Sequence, residues 1–189
     1  RIGSVVEGSQ VLAAQAAAAA RAAQFGWDAL GGAKRADILM RAADLFERDA
    51  ALLIGLCVRE AGKTIANGLA DVREAIDFLR YYANLARADF AAPKILPGPT
   101  CERNELSLHG RGVFACISPW NFPVAIFTGQ IAGALAAGNS VVAKPAEQTP
   151  LTAFAATRLF HEAGVPADVL HLLPGDGAEV GGALVRDAS

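Results

Sequence analysis

Paired cysteines, a basic surplus and long apolar runs are all missing from this sequence of 189 residues. The three cysteines are scattered and form neither a CxxC pair nor a metal-binding spacing, which favours a reducing, cytosolic setting. The net charge of −2 lacks the basic surplus of nucleic-acid binders. No apolar run reaches the roughly 18 residues that a membrane-spanning helix needs. These absences favour a cytoplasmic protein that binds neither nucleic acid nor a membrane.

The N-terminus carries no initiating methionine and no signal-peptide pattern. Its first residues, Arg1-Ile2-Gly3, resemble the middle of a longer chain. Apolar residues make up 53% of the sequence, so a large core can be buried. We therefore expect a folded segment of a larger protein.

Residues 1–92 are predicted to be helical. Apolar residues in Lys34–Ala50 fall on one stripe, as in an amphipathic helix, and the helical pattern continues until Gly62 ends it. A further helix is predicted over Leu69–Ala92, after a connector at Ile65–Gly68. The polar face of that helix is predicted to carry Asp71, Arg73, Asp77 and Arg80.

The pattern changes at the prolines of Ala91–Thr100, which predict a connector, and residues 102–110 alternate like a half-exposed strand. From Gly112 onward, short apolar runs alternate with helical runs, which predicts parallel β-α-β units. The predicted strands are Val113–Ile117, Ser140–Ala143 and Val169–Leu173, and the predicted helices are Val124–Ala137, Thr149–Ala163 and Gly177–Val185.

The predicted fold class is α/β, with a helical segment followed by a partial, Rossmann-like parallel sheet. Three regions are expected: a helical region at 1–92, a connector and strand at 93–111, and the sheet with its helices at 112–189. Parallel sheets are usually larger than three strands and are covered on both faces. Sequence outside this chain is therefore expected to complete the sheet.

The densest cluster of candidate site residues follows the first predicted strand and runs from Ile117 to Pro123, with the sequence ISPWNFP. Ligands of open α/β sheets bind at the carboxyl ends of strands, which is where this segment lies. The alternative is purely structural: Asn121 caps the next helix and Trp120 packs in the core.

Two further clusters follow the next strands. Lys144 and Glu147 could clamp a polyol such as a ribose, or they could form a solvated ion pair beside a loop. Gly175–Gly181 resembles a GxGxxG phosphate loop but has one residue too many before the last glycine. The alternative there is a tight strand–helix turn that needs a positive φ. The residue types leave both choices open.

No nucleophile stands out in the sequence. The histidines lie far apart, and no Ser or Cys occupies an elbow motif. The cysteines fall in a helix, in the connector and in a strand, and all are predicted to be structural: Cys57, Cys101 and Cys116.

The stretch ISPWNFPVAIFTGQIAGALAAGNSVVAKPAEQTPL, at Ile117–Leu151, closely resembles the aldehyde dehydrogenase superfamily. PWNFP, ALAAGN and KPAEQTP occur together in the order expected of that family, which is far more specific than any one motif. The resemblance covers essentially the whole chain, including AGKT at Ala61–Thr64 and RYYA at Arg80–Ala83. FTGQ at Phe127–Gln130 and the EAGKT context look most like the L-glutamate γ-semialdehyde dehydrogenase domain of proline utilization A proteins.

The resemblance implies a role for each matching residue. Asn121 corresponds to the oxyanion-hole asparagine, whose amide would stabilise a developing alkoxide by roughly 2.7–4 kcal/mol. Lys144 and Glu147 correspond to the pair that holds the adenosine ribose of NAD, and Gly177 to the glycine at the adenine end. Phe122 corresponds to a wall of the aldehyde tunnel. The remaining implied site residues are Ile117, Ser118, Pro119 and Trp120 alongside the cofactor, and Glu74 on a helix that faces the tunnel.

The family's nucleophilic cysteine, general-base glutamate and GSTxxG turn match nothing in this chain. Residues 112–189 would therefore be the first part of an NAD-binding domain, and this segment alone is expected to lack dehydrogenase activity. FAD is expected only in a proline dehydrogenase domain upstream of the chain.

The complete enzyme would oxidise L-glutamate γ-semialdehyde to L-glutamate with NAD⁺ in proline catabolism, as a homo-oligomer. Glu147 beside the ribose would favour NAD over NADP, because its charge repels a 2′-phosphate. Two alternatives stay open: a dehydrogenase of another small aldehyde, such as succinic semialdehyde, and a nonenzymatic dinucleotide-binding module.

One geometric prediction joins the clusters. Val113–Ile117 and Ser140–Ala143 are connected through one helix, so they should be parallel neighbours whose carboxyl ends share an edge. Lys144 and Glu147 should then point into one cleft beside the turn Ile117–Phe122.

Overall fold

The computed structural model describes residues 2–187, so Arg1, Ala188 and Ser189 of the predicted regions lie outside the described residues. The elements are α1 (Gln10–Ala29), α2 (Gly31–Arg48), α3 (Ala50–Ala61), α4 (Ile65–Phe90), β1 (Lys94–Leu96), β2 (Asn104–Leu106), β3 (Val113–Ile117), α5 (Ala125–Ala136), β4 (Ser140–Lys144), α6 (Pro150–Ala163), β5 (Leu170–Leu172) and α7 (Gly182–Arg186). A π-helical turn at Gly177–Gly181 directly precedes α7. No helix in this described part of the chain is long and apolar enough to span a membrane.

Helix α2 buries the stripe that its periodicity predicts. Leu39, Ala42 and Phe46 are fully buried in the main core, whereas Leu45 is only partly buried. Helix α3 ends at Gly62, whose φ of 67° lies in the left-handed region that favours glycine. The predicted helix end at Gly62 is therefore confirmed.

Helix α4 begins earlier than the apolar pattern indicates, so the predicted connector at Ile65–Gly68 is wrong. Thr64 caps the helix, because its hydroxyl accepts a hydrogen bond from the Asn67 N–H at 3.2 Å. The first turn is exposed up to Asn67 and therefore carries no apolar periodicity. The polar cap of Thr64 therefore marks the start of α4, which the spacing of apolar residues does not reveal.

A short antiparallel hairpin replaces the connector and the single strand predicted over 93–111. β1 pairs with β2, with Lys94 opposite Leu106 and Leu96 opposite Asn104. The predicted strand over 102–110 is thus reduced to its middle. The prolines around Gly98 lie between the two strands and form their connection, so they bound the strands without abolishing them.

The second sheet is parallel in the order β3-β4-β5. Val113 lies opposite Ser140 and Ile117 opposite Lys144, so the predicted parallel pairing of these strands is confirmed. Val141 lies opposite Leu170 on the other side of β4. All three carboxyl ends therefore meet at one edge, where the candidate site residues follow.

Side chains alternate across the central strand and separate two cores. Val141 and Ala143 face the larger core, to which α2–α6 contribute. Val142 faces a smaller core formed with α1 and α7. The sheet is covered on both faces, as a parallel sheet requires, and the helical region supplies one of the covers.

Helix α5 contains no charged residue and is mostly buried. Side chains of α1 and α2 donate hydrogen bonds to the carbonyl groups at its C-terminal end: Gln24 to Gly138 and Trp27 to Leu135, both at 2.9 Å, and Arg35 to Ala136 at 3.2 Å. These bonds satisfy carbonyls that a helix leaves without partners. Residues from the first part of the chain thus end a helix in the second part.

Two helical glycines give a matched test of this packing. A Cβ on Gly32 would lie 2.2 Å from the Ala86 carbonyl oxygen, whereas a Cβ on Gly55 would meet nothing within 4 Å. We expect Gly32→Ala to lower the free energy of unfolding by about 1–3 kcal/mol, because α2 must move away from α4. Gly55→Ala should raise it by about 0.5–1 kcal/mol through helix propensity. Chemical denaturation of the protein measures both, and equal effects would contradict the close α2–α4 approach.

Candidate functional site

The β3–α5 turn, defined as Ser118–Val124, leaves the carboxyl edge of the sheet. Its start is fixed, because the buried Ser118 donates its N–H to the Lys144 carbonyl at 3.1 Å. The preceding residue is held as well: Gln130 Nε2 donates to the Ile117 carbonyl at 3.2 Å. Pro119, the residue after Ser118, is half-buried.

The middle of the turn presents its side chains to solvent. Trp120 is 52% exposed and Phe122 39%, so the structural alternative that put Trp120 in the core is wrong. Helix α5 begins at Ala125, its N-cap is Val124, and no side chain of the turn caps it. The alternative role of Asn121 as helix cap is therefore wrong too. Among residues 2–187 the Asn121 amide has no hydrogen-bond partner, so it can bind a ligand.

A carboxylate from α4 takes the place of the missing cap. Asp71 is buried, and its Oδ1 accepts a hydrogen bond from the Ala125 N–H at 2.7 Å. A negative charge at a helix N-terminus also interacts favourably with the helix dipole. The sequence assigned Asp71 to a polar, solvent-facing side of α4, and that prediction is wrong. Its position four residues before the buried Ala75 was the signal that the apolar pattern ignored.

Lys63 joins this carboxylate to the turn. Its Nζ lies 3.0 Å from Asp71 Oδ2 and 4.3 Å from the centroid of the Phe122 ring. The second distance is within the range of a cation–π interaction. Neither Lys63 nor Asp71 was singled out as a site residue from the sequence, although Lys63 is part of the AGKT motif.

Lys144 and Glu147 both lie against the π-helical turn that follows β5. Glu147 Oε1 accepts a hydrogen bond from the Gly177 N–H at 2.7 Å. Lys144 is buried, its Nζ donates to the Pro145 carbonyl at 3.0 Å, and its side chain lies against Gly181. The alternative of a solvated ion pair does not hold, because Lys144 is buried and, among the residues described, forms no ion pair with Glu147.

The glycine-rich segment after β5 is a capped turn. Gly175 has a φ of 157°, the positive φ that the structural alternative requires. Asp176 Oδ1 accepts hydrogen bonds from the Ala178 and Glu179 N–H groups at 2.8 and 2.9 Å. The predicted helix over Gly177–Val185 is split into the π-helical turn and the short α7.

Helix α6 is capped from a distance in the same way as α5. Its own N-cap, Thr149, forms no side-chain cap bond. Glu60, at the end of α3, accepts hydrogen bonds from the Leu151 N–H at 2.9 Å and the Thr152 N–H at 2.7 Å. Glu60 and Glu147 also line one surface cavity of about 490 Å³. Sequence reasoning missed Glu60.

Glu74 lies on the exposed side of α4, one turn after Asp71. An exposed carboxylate on this helix has the freedom to face a ligand. The tunnel position implied by the resemblance stays a prediction.

Two of the three cysteines, Cys57 and Cys116, have the properties of structural residues. Burial, together with the nearby Asp71 carboxylate, raises the pKa of the Cys57 thiol to about 12. Burial alone raises the pKa of Cys116 to about 12. Cys101 is exposed, in the β1–β2 connection. Within residues 2–187, no group of His, Cys, Asp or Glu side chains could hold a metal ion.

The whole chain, residues 1–189, matches the aldehyde dehydrogenase family, and the protein belongs to that family. Within it, the chain is 55% identical to the bifunctional protein PutA of Escherichia coli (strain K12) over 85% of its length, which covers 11% of that protein. It is 42% identical to the 1-pyrroline-5-carboxylate dehydrogenase of Anoxybacillus flavithermus over 97% of its length, which covers 36% of that protein. The chain thus spans about a tenth to a third of the length of these relatives.

Solved structures agree with this assignment. A structure of proline utilization A with proline bound in remote sites has a TM-score of 0.95 at 50% identity, covering 97% of this chain and 19% of that one. A 1-pyrroline-5-carboxylate dehydrogenase from Thermus with bound NAD has a TM-score of 0.91 at 40% identity, covering 96% of this chain and 35% of that one. The predicted family resemblance and the predicted fold class are confirmed.

The raised thiol pKa values make a prediction about reactivity. A thiol with a pKa of about 12 is about 0.01% thiolate at pH 8, and the thiolate is the form that reacts with an alkylating agent. We expect iodoacetamide at pH 8 to modify Cys101 and to leave Cys57 and Cys116 intact in the native protein. Peptide mass spectrometry measures this, with the denatured protein as the control in which all three react. Rapid native modification of Cys57 would contradict its buried position beside Asp71.

Proposed function

We propose that the complete protein carrying this chain is an NAD-dependent dehydrogenase that oxidises L-glutamate γ-semialdehyde to L-glutamate in proline catabolism. The similarity of nearly the whole chain to proteins named 1-pyrroline-5-carboxylate dehydrogenase and PutA supports the substrate. The observation that carries the chemistry is the exposed, unpartnered amide of Asn121 on a turn anchored at the carboxyl edge of the sheet.

The proposed reaction begins when a cysteine thiolate, supplied by sequence outside this chain, adds to the aldehyde carbon. The carbonyl electron pair moves to the oxygen, which becomes an alkoxide, and the Asn121 amide N–H donates a hydrogen bond to it. Phe122 forms an apolar wall beside the aldehyde, and Glu74 faces the same tunnel. A bound NAD⁺ would supply the oxidation by accepting a hydride from the former aldehyde carbon, and loss of that hydride leaves a thioester with the cysteine. Water then hydrolyses the thioester, which releases the carboxylate and restores the thiol.

The residues at the carboxyl edge fit a dinucleotide ribose. The Lys144 ammonium has three donors, of which the Pro145 carbonyl uses one, and the second oxygen of Glu147 can accept from a hydroxyl. A Cβ on Gly177 would lie 3.3 Å from Glu147 Oε1, so its absence leaves room there. We propose that Lys144 and Glu147 hold the ribose, that Gly177 lies at the adenine end, and that Ile117–Trp120 runs beside the cofactor.

Further properties of the complete protein belong to the same proposal. We propose a cytoplasmic homo-oligomer in which residues 112–189 begin the NAD-binding domain and this segment alone has no activity. FAD would belong only to a proline dehydrogenase domain upstream of this chain. A dehydrogenase of another small aldehyde is the competing function, and steady-state kinetics with succinic semialdehyde separates the two.

Replacement of Asn121 tests the chemistry. We expect Asn121→Ala in the complete enzyme to lower kcat by about 100- to 1,000-fold, because an oxyanion donor acts mainly on the transition state. NAD⁺ affinity should change little. Asn84→Ala, which removes an exposed amide from α4, is the control and should retain full activity. An unchanged kcat in Asn121→Ala would contradict the proposal that Asn121 donates a hydrogen bond to the alkoxide.

Replacement of Glu147 tests the cofactor assignment. We expect Glu147→Gln to weaken NAD⁺ binding and to improve the relative affinity for NADP⁺, because the charge that repels a 2′-phosphate is gone. Equilibrium binding of both dinucleotides to the complete enzyme measures this. Glu102→Gln, an exposed change in the β1–β2 connection, serves as the control. If NAD⁺ affinity in Glu147→Gln equals that of the unmodified enzyme, the ribose role fails.

A further inference from the structure

We infer that Asp71 and Lys63 are positioning residues for the aldehyde end of the site, acting through Asn121 and Phe122. The inference rests on the proposed function of those two residues. Its basis is that the β3–α5 turn is held at both ends, and that one of the two anchors is a buried charge from α4.

The Asp71 carboxylate uses both of its oxygens within the protein. Oδ1 accepts from the Ala125 N–H at 2.7 Å, and Oδ2 lies 3.0 Å from Lys63 Nζ. The Cys57 thiol donates a weaker hydrogen bond to Oδ2 at 3.8 Å. Burial of a charge is costly unless it is paired and hydrogen-bonded, so these contacts fix the carboxylate in one place. Ala125, the first residue of α5, is fixed with it.

Asn121 depends on that anchor because nothing holds its own side chain. The turn is tied to β4 through Ser118 and to α4 through Ala125, and Asn121 lies between the two. The position of its amide is therefore set by the backbone. A misplacement of about 1 Å can cost a factor of about a hundred in rate. Release of the Ala125 anchor should thus reduce turnover without touching the cofactor.

Lys63 extends the same control to Phe122. Its ammonium group lies between Asp71 and the face of the Phe122 ring, at 3.0 and 4.3 Å. The ammonium group forms a cation–π interaction with the Phe122 ring and an ion pair with the buried Asp71 carboxylate. One lysine therefore links the start of α5 to the proposed wall of the aldehyde tunnel.

Glu60 provides a matched comparison. It caps α6 as Asp71 caps α5, with hydrogen bonds to the Leu151 and Thr152 N–H groups. Helix α6 follows the loop of Glu147, so Glu60 anchors the proposed ribose end. If the two carboxylates were merely structural, their removal would affect the enzyme alike. If each carboxylate positions its own turn, removal of one should change kcat and removal of the other should change NAD⁺ affinity.

The experiment compares Asp71→Asn with Glu60→Gln in the complete enzyme. We expect Asp71→Asn to lower kcat by about tenfold to a hundredfold and to leave NAD⁺ affinity within about twofold. Glu60→Gln should show the reverse, with weakened NAD⁺ binding and a nearly unchanged kcat. Asp77→Asn, an exposed change on α4, is the control for loss of a charge. Loss of NAD⁺ affinity and kcat together in both variants would overturn the inference.

Two variants of Lys63 cover the case in which Asp71→Asn does not fold. Lys63→Met removes the cation beside Phe122 but keeps Asp71, and we expect a higher KM for the aldehyde and a lower kcat. Lys63→Arg should restore both, since a guanidinium also stacks on an aromatic face.

A double variant tests the coupling of Asp71 to Asn121. In an Asn121→Ala background, Asp71→Asn should cause little further loss of kcat, because Asp71 and Asn121 act as one unit. Fully additive losses would overturn the inference.

Hydrogen exchange separates this inference from the proposed function. We expect Asp71→Asn to accelerate amide exchange in the peptide over residues 119–128, and Glu60→Gln to do so over residues 147–155. If the unmodified protein oxidises no aldehyde, the proposed function fails, whereas the exchange result still decides whether Asp71 anchors the turn. Unchanged exchange over residues 119–128 in Asp71→Asn would overturn the inference whatever the activity.

Discussion

The capping of helix α5 by side chains from the first part of the chain is the interaction on which the rest of the structure depends. This helix carries no charge, and its terminal amide and carbonyl groups lie where water is largely excluded. Asp71 meets its N-terminal end, and Arg35 meets its C-terminal end together with two neutral donors. The anion and the cation are each at the end that the helix dipole favours.

Those caps also join the helical region to the part of the chain that contains the parallel sheet. Burial lowers the pKa of the Arg35 guanidinium, and the nearby Asp28 carboxylate opposes this shift only in part. Three backbone carbonyl groups accept hydrogen bonds from the guanidinium. Such a group is tolerated inside only because its partners are fixed. The larger core likewise runs without interruption from α2 through α4 to the strands. The change of pattern at Ala91–Thr100 is therefore a change in secondary structure, across which the packing continues.

The sequence could predict what depends on apolar periodicity and on strand order. The stripe on α2, the end of α3 at Gly62 and the parallel pairing of β3 with β4 follow from local spacing. Asp71 and Glu60 could not be found in this way, because a buried carboxylate looks like a solvated one until its partner is known. Both partners are backbone N–H groups distant in sequence, and these leave no trace in residue types. The start of α4 was missed for a related reason, since Thr64 acts through a single polar bond.

The same caps bear on how a dinucleotide can bind here. Helix N-termini at the carboxyl edge of an open sheet are ready-made sites for phosphate groups. In this chain those starts already hold carboxylates: Asp71 at α5, Glu60 at α6, and Glu147 with Asp176 at the π-helical turn. A pyrophosphate placed at any of them would meet a negative charge. The edge is therefore compatible with the ligands proposed for it, the neutral hydroxyl groups of a ribose and an aldehyde oxygen, for which Lys144, Glu147 and Asn121 would offer single donors and acceptors. The glycine pattern after β5, which departs from a phosphate loop, accordingly forms a turn whose N–H groups already donate to the carboxylates of Glu147 and Asp176.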